Sequence, residues 1–482
     1  MRGQAIQVKR RNFGRNQVLT PSTAYTPANE QEVLEILARH QDQNIRAVGR
    51  LHSWSEAAVT DSVLLDLRRL NSVQLQADGN QLVATVGAGC QVKRLLRQLG
   101  RRNATLPSLG LITEQTIAGA ISTGTHGSGR HSMSHYVVAV RIARYDPSSG
   151  RPIIEEITGG EQLQAARCSL GSLGIILSVK ILCRPAYHVE EHFQEYPALS
   201  DVLAAEATFP LQQFYLIPWR WSYFSQHRRE VDQPRSRLAG LYRLYWLLVM
   251  DLGMHLLVLL LAQVARSRFL VRLVFRHIVP AFVIRNWKVT DDSSTMLVMK
   301  HEAFRHIEIE LFVRQEQVAD ALAFTRQVIT LAGGRDSTLA PDNQDKVERF
   351  GMTPSLTSLQ GQYCHHYPVC VRRVLPDDTL ISMASGEGEE WYALSFISYA
   401  RPEDRAGFFL FASFMAHSMS RLFGARPHWG KVCPLTAGEL ASLYPRFGLF
   451  RSIAHSLDPA GVFQNRWTTA LLQANKDIPE TS

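Results

Sequence analysis

Three short segments of this chain carry residue types suited to holding a flat, phosphorylated ligand. The densest is Thr116-Ile117-Ala118-Gly119-Ala120-Ile121-Ser122-Thr123-Gly124-Thr125-His126-Gly127-Ser128-Gly129, with four glycines and five hydroxyl residues in fourteen positions. A core does not need that composition. Glycine lets backbone approach a ligand closely, and hydroxyls satisfy the ligand's polar edge. The segment is neither a Rossmann G-x-G-x-x-G loop nor a P-loop, because no Gly-Lys-Ser/Thr follows. His126 suits a ligand-facing role and a turn-stabilising one equally.

The second segment is Ala47-Val48-Gly49-Arg50-Leu51-His52-Ser53. Backbone N–H groups in a glycine turn after a strand can converge on phosphate oxygens. Taken alone, the pattern also fits His52 as a plain turn histidine on the surface. The third, Leu170-Gly171-Ser172-Leu173-Gly174-Ile175-Ile176, is a tight turn feeding an apolar strand. By itself it reads as structural.

Elements must position these turns. Residues 29–43 read as a helix capped by Asn29, with Val33, Ile36 and Leu37 on one face. Short strands follow at Ile45–Val48, Val63–Leu67 and Gln81–Val86. Residues 90–99 form an amphipathic helix with Val92, Leu95, Leu96 and Leu99 inward and Gly100 as a stop. Strand-rich runs lie at 137–145 and 174–183. Residues 1–187 therefore read as a mixed α+β unit with glycine-rich turns.

The character changes after Arg184-Pro185. An alternating strand at His306–Val313 leads to a helix at 316–331, ending at Gly333-Gly334. A strand at Trp391–Tyr399 leads to a helix at 403–423. Two such units predict a second sheet with helices on one face, forming a cap. The sequence carries no internal repeat.

Composition narrows the class. The 482 residues are 45% hydrophobic and 20% charged, an ordinary globular balance with room for two or three domains. The net charge is +9, from 52 Lys+Arg against 43 Asp+Glu. No basic run is interleaved with aromatics and no zinc-finger spacing occurs, which argues against nucleic acid. Six scattered cysteines without a C-x-x-C pair argue against a zinc site or disulfide framework and fit a reducing compartment. The N-terminal MRGQAIQVKRRNFGRN lacks the apolar stretch of a signal peptide. The expected location is cytoplasmic or membrane-associated.

Residues 245–264, YWLLVMDLGMHLLVLLLAQV, are long enough to cross a bilayer. Asp251 and His255 would be costly at its centre, however. Arg243, Arg266, Arg268, Arg272 and Arg276 flank the segment, a pattern better suited to lying on an anionic membrane. Peripheral contact through 245–282, a spanning helix and a buried hairpin all remain open on these residues.

In order and spacing, the three glycine segments resemble the FAD-binding (PCMH-type) domain of the vanillyl-alcohol oxidase/p-cresol methylhydroxylase superfamily. Within it the chain is most similar to the aldonolactone oxidases, L-gulonolactone oxidase and D-arabinono-1,4-lactone oxidase, and next to alditol oxidase. Asn12-Phe13, the helix at 27–37, His366-Tyr367-Pro368-Val369, Arg426-Pro427-His428-Trp429-Gly430-Lys431 and Leu457-Asp458-Pro459-Ala460-Gly461-Val462-Phe463 also match. The resemblance covers nearly the whole chain.

The resemblance implies an α+β fold: a two-subdomain FAD-binding domain at 1–187, and a cap over 188–425 with an antiparallel sheet covered by helices. A segment at 426–482 would return to the flavin. It implies FAD bonded through His52. Gly49, Arg50, Leu51, His52 and Ser53 would cradle the pyrophosphate, and Thr116, Gly119, Thr123, Gly124, Thr125, His126 and Ile176 would line the flavin. Arg372, Lys431 and His428 would serve catalysis, with no metal. The implied reaction oxidises the CH-OH group of a sugar-1,4-lactone or alditol by hydride transfer to flavin N5, with molecular oxygen or another acceptor.

Two positions depart from the pattern. Cys370 stands where a glutamate usually precedes the arginine by two residues, and a thiol is a poor acceptor for sugar hydroxyls. Leu51 stands where some relatives carry glycine. The first departure, with the apolar region, opens a second reading: a hydrophobic or lipid-linked alcohol oxidised at a membrane. A third reading, from another class, is a flavin-binding membrane partner without turnover. Arg372 and Lys431 count against it.

Overall fold

The computed structural model describes residues 9–79, 81–299, 304–335 and 338–473. Its architecture is mixed α+β. Glycine-rich turns separate short strands in the first third, and a larger sheet occupies the rest.

The N-terminal third contains two sheets. Thr23–Tyr25, Val63–Asp66 and Ile45–Val48 form a parallel sheet with Val63–Asp66 in the middle. The central strand, Val63–Asp66, is buried along its whole length, as a parallel strand covered on both faces is. The helix Glu30–Arg39 packs nearby with Val33, Ile36 and Leu37 buried, and Asn29 caps it by accepting from the Glu32 N–H. A second, antiparallel sheet runs in the order Pro152–Ile157, Val137–Tyr145, Ile175–Pro185, Gln81–Gly87, Val73–Asp78. The helix Val92–Gly100 buries Val92, Leu95, Leu96 and Leu99 on one face, as its spacing predicts.

Two residues beyond the strand Ile175–Pro185, His188–Tyr196 begins an eight-stranded antiparallel sheet. Its order is Val289–Asp292, His188–Tyr196, Tyr223–Val231, Gln213–Leu216, Val369–Val374, Trp391–Ser398, Ile307–Arg314, Arg426–Pro427. The helices Val318–Ala332 and Ala406–Phe423 bury Phe324, Val328, Phe411 and Met415. Both strand–helix units read from the sequence are present, with ends shifted by a few residues.

The apolar region forms a helical hairpin. One continuous helical run covers Ala239–Ala265, and a second follows from Arg268 to Phe282, both with stretches of wider π turn. The hairpin is anchored to the body. Tyr242 donates its hydroxyl to Glu191, Gln263 donates to the Tyr399 carbonyl at 2.7 Å, and Arg272 reaches the Gly333 carbonyl. Met254, His255, Val258 and Leu261 are buried.

Candidate active site

A cavity lies where the glycine turns of the first third meet one face of the eight-stranded sheet. Gly49, Arg50, Leu51, His52 and Ser53 line it, as do Thr116, Gly119, Thr123, Thr125, His126 and Ile176. Arg372, His428 and Lys431 line it from the sheet side. Segments more than three hundred residues apart therefore converge. Gly124 is the exception. It takes a φ of +73° and faces Met383 rather than the cavity, so its glycine serves the turn.

The turns are packed against each other with no room for side chains. A β-carbon on Gly49 would lie 2.1 Å from Thr116 Oγ1. Thr116 in turn caps the helix Ile117–Ser122, its hydroxyl accepting from the Gly119 N–H. Leu51 adopts a φ of +55°, the left-handed region, and its carbonyl accepts from the Phe13 N–H at 2.8 Å. The leucine thus holds a left-handed turn at a cost of about 1 kcal/mol. This is a cradle that dinucleotide phosphates fit: bare backbone on both sides, and hydroxyls at the edge.

Arg46 holds the cradle together, and nothing in its local sequence marks it. Arg46 is 3% exposed, and its guanidinium donates to the carbonyls of Leu170 at 2.8 Å and Gly171 at 2.9 Å, and to those of Ala57 and Phe463. One side chain so ties the strand Ile45–Val48, the third glycine turn and the C-terminal segment. Burial lowers its pKa to about 10, partly offset by Asp458.

At the other end, His52 stacks on Phe13 with ring centroids 5.1 Å apart. Burial, then the Arg50 charge, lowers its pKa to about 4, so the ring is neutral at physiological pH. Trp54 N–H donates to the Gly430 carbonyl at 2.8 Å, fixing this turn against the 428–431 segment.

The sheet face supplies polar groups that sequence reasoning missed. Along the strand Ile307–Arg314, Glu308 and Glu310 lie two residues apart and face the cavity. The pairing register places Cys370 opposite Ser395 and Ser395 opposite Glu310. Ser395 Oγ donates to Glu310 Oε1 at 2.6 Å. Carboxylates are therefore present on the face that carries Cys370, two strands away. The signal available was a Glu-x-Glu pair in an otherwise apolar strand.

These carboxylates are partnered. Lys431 Nζ pairs with Glu308 and lies 4.6 Å from the Trp54 ring centroid. Glu310 Oε1 is 3.5 Å from His126 Nε2. Burial alone would push the Glu310 carboxyl up, but His126, then Lys431 and His428, hold it well below the usual carboxylate range. His428 Nδ1 accepts the Gly430 N–H at 2.9 Å, so the neutral ring carries its proton on Nε2 and acts as a donor. Burial lowers its pKa to about 3. Arg372 Nε donates to Gln213 Oε1 at 2.9 Å. Burial works against its charge, yet Cys370, Glu310 and Tyr215 leave its pKa raised.

A second chamber of about 450 Å³ adjoins the first. Leu111, His255, Met299, Tyr367, Cys370, Arg372 and Ile397 form walls of both. Beyond them, Phe193, Ile217, Phe224, Trp246, Met250 and Val283 make its lining largely apolar. The helical hairpin roofs it. His255, the polar residue that seemed costly in an apolar helix, stacks on Phe304 at 4.7 Å and faces inward.

Comparisons with known proteins agree with this geometry. Residues 21–146 match the model of the FAD binding domain, so the cradle is an FAD site. Residues 214–471 match the model of D-arabinono-1,4-lactone oxidase. The chain is 72% identical to a protein named long-chain alcohol oxidase from an uncultured marine euryarchaeote, over 98% of each chain. It is 26% identical to L-gulonolactone oxidase of Mus musculus, covering 95% of this chain and 97% of that one. Among solved structures, cholesterol oxidase from B. sterolicum superposes with a TM-score of 0.74 at 15% identity, over 98% of this chain and 97% of that one, which speaks to the fold alone. With the family model spanning the sheet that carries Glu310, Arg372 and Lys431, and the FAD cradle in place beside it, this chain belongs to the D-arabinono-1,4-lactone oxidase family of FAD-dependent oxidases acting on CH-OH donors.

Proposed function

We propose that this flavoenzyme oxidises a long-chain primary alcohol to the aldehyde, with its hydroxyl carbon in the flavin-side cavity and its alkyl tail in the adjoining chamber. The observation that carries this reading is the chamber itself: largely apolar and sharing seven wall residues with the flavin cavity. The name of the relative with 72% identity supports it.

Bound FAD supplies the acceptor for the two electrons of the carbinol C–H bond, with oxygen as the reoxidant. The chain does the rest. Glu310, fixed by Ser395, accepts the hydroxyl's hydrogen bond and receives its proton as the C–H bond breaks, while Arg372 and Lys431 stabilise the negative charge that develops on the carbinol oxygen. His428 Nε2–H orients that oxygen. His52, neutral and held by Phe13, has the nitrogen lone pair that a bond to the flavin 8α-carbon requires. In this reading residues 1–187 hold the dinucleotide, 188–425 form the cap, and 426–482 carry His428 and Lys431 back to it.

A second reading, oxidation of an aldonolactone or alditol, draws on Glu308 and Glu310 as acceptors for sugar hydroxyls. Anaerobic mixing separates the two. Flavin absorbance should bleach with long primary alcohols and recover on exposure to air. Bleaching by gulonolactone or xylitol but not by alcohols would sink the alkyl reading.

A further inference from the structure

The described residues expose seventeen large hydrophobic side chains, and thirteen of them fall between Leu238 and Ile284. Leu256, Leu260, Val264 and Phe269 are 52–70% exposed. A concentration of this kind marks an interaction surface rather than ordinary scatter. The hairpin is inverted relative to a normal surface helix. Its inward side carries Met254, His255 and Val258, and its outward side is leucine.

The charges around it have one sign. Between residues 237 and 285 there are seven arginines and a single acid, Asp251. Among the described residues, Arg237, Arg268, Arg272 and Arg276 have no carboxylate within ion-pair distance. A second copy docking on this face about a twofold axis would bring like-charged rims together. An anionic bilayer complements both the apolar centre and the cationic edge.

We propose that the 239–283 hairpin docks this enzyme onto an anionic lipid bilayer, lying in the interface rather than spanning it, and that hydrophobic alcohol reaches the chamber from the membrane through this roof. Spanning would require pulling Met254, Val258 and Leu261 off the body and breaking the Gln263–Tyr399 hydrogen bond. The hairpin is one layer thick above the chamber. Leu247 lines the chamber and is also 40% exposed on the outer face. The docking depends on the surface alone, whereas the delivery route rests on the long-chain alcohol reading.

Co-sedimentation of the flavin-loaded enzyme with vesicles tests this. The enzyme should pellet with phosphatidylcholine vesicles containing phosphatidylglycerol, pellet far less with phosphatidylcholine alone, and release as salt rises. The triple variant Leu256→Glu, Leu260→Glu, Phe269→Glu should bind at least about tenfold more weakly, with unchanged flavin content and absorbance spectrum. An enzyme that stays in the supernatant overturns the proposal, as does equal binding to neutral vesicles or a triple variant that binds as well as the parent. So does a dimer that the triple variant dissociates while neither protein binds vesicles, which would make this face a self-interface. Vesicle binding without turnover of any alcohol would leave the docking intact and remove the substrate reading.

Discussion

Gly49 and Thr116, from turns sixty-seven residues apart, meet so closely that a β-carbon at Gly49 would fall 2.1 Å from Thr116 Oγ1, 2.9 Å from its Cγ2 and 3.0 Å from its Cβ. Rotating the threonine cannot relieve all three contacts, so Gly49→Ala must push the two turns apart, at a cost of about 1–3 kcal/mol. The cradle for the FAD phosphates would open with them. In the His52→Ala background, where FAD binding is reversible, the variant should bind FAD about 5- to 150-fold more weakly, in line with that cost. Adding Thr116→Gly removes the clashing atoms and leaves an acceptable helix cap. It should restore much of the affinity, and fluorescence titration of the four proteins gives the coupling directly.

His52 sets how the flavin is kept. The parent protein should remain yellow after acid precipitation and washing. His52→Ala should bind FAD reversibly and lose it in the wash, with the Gly49 cradle undisturbed. Colour lost equally from both proteins would show that no covalent bond forms at His52.

The glycine turns were readable from sequence because each needs its composition locally: bare backbone is conspicuous wherever it occurs. The sheet face was harder. His188–Tyr196 reads HVEEHFQEY, and its partner Tyr223–Val231 reads YFSQHRREV, with no clean alternation in either. They pair because Glu190 meets Arg229 and Glu191 meets Arg228 across the ladder, at 2.9 and 2.6 Å. Such pairs are invisible until the register is known. Glu308 and Glu310 were missed for a related reason. Two carboxylates at alternate strand positions look like a solvent face, and only the cavity on that side reveals their role. Arg46 gives no local signal, since its four carbonyl acceptors come from three distant segments.

Glu310 should be needed for the chemical step and not for holding FAD. Glu310→Gln keeps the shape and the Ser395 hydrogen bond but removes the carboxylate that faces His126 and receives the hydroxyl proton. Stopped-flow flavin reduction should slow by about 10²–10⁴-fold. Flavin content should match the parent. Loss of flavin in place of a slower reduction would assign Glu310 a purely structural role.

Acid should destabilise the fold earlier than its carboxylates would suggest. Burial holds His428 and His306 at pKa values of about 3, and His366 at about 4, against an ordinary value near 6.5. Lowered folded pKa values mean that their contribution is complete above pH 6.5 and is lost as pH falls towards 3, because only the unfolded chain takes up the protons. Each adds up to about 1.4 kcal/mol of destabilisation per pH unit in that window. Thermal melts should therefore fall steadily from pH 6.5 to 4. His428→Gln should flatten that slope by one proton, while an unchanged slope would show that the ring is charged in the fold.

The chamber predicts a chain-length rule and a way to break it. Each methylene taken from water into an apolar wall gains about 0.8 kcal/mol, so kcat/KM should rise about fourfold per carbon until the chamber is full, then level off. Met250 lines that chamber from the hairpin and does not line the flavin cavity. Met250→Trp adds bulk only there. It should shift the plateau to shorter alcohols while leaving kcat/KM for the shortest ones close to the parent, because those never reach Met250. A uniform loss across the whole series would mean that the tail lies elsewhere, and the chamber would lose its claim as the alkyl site.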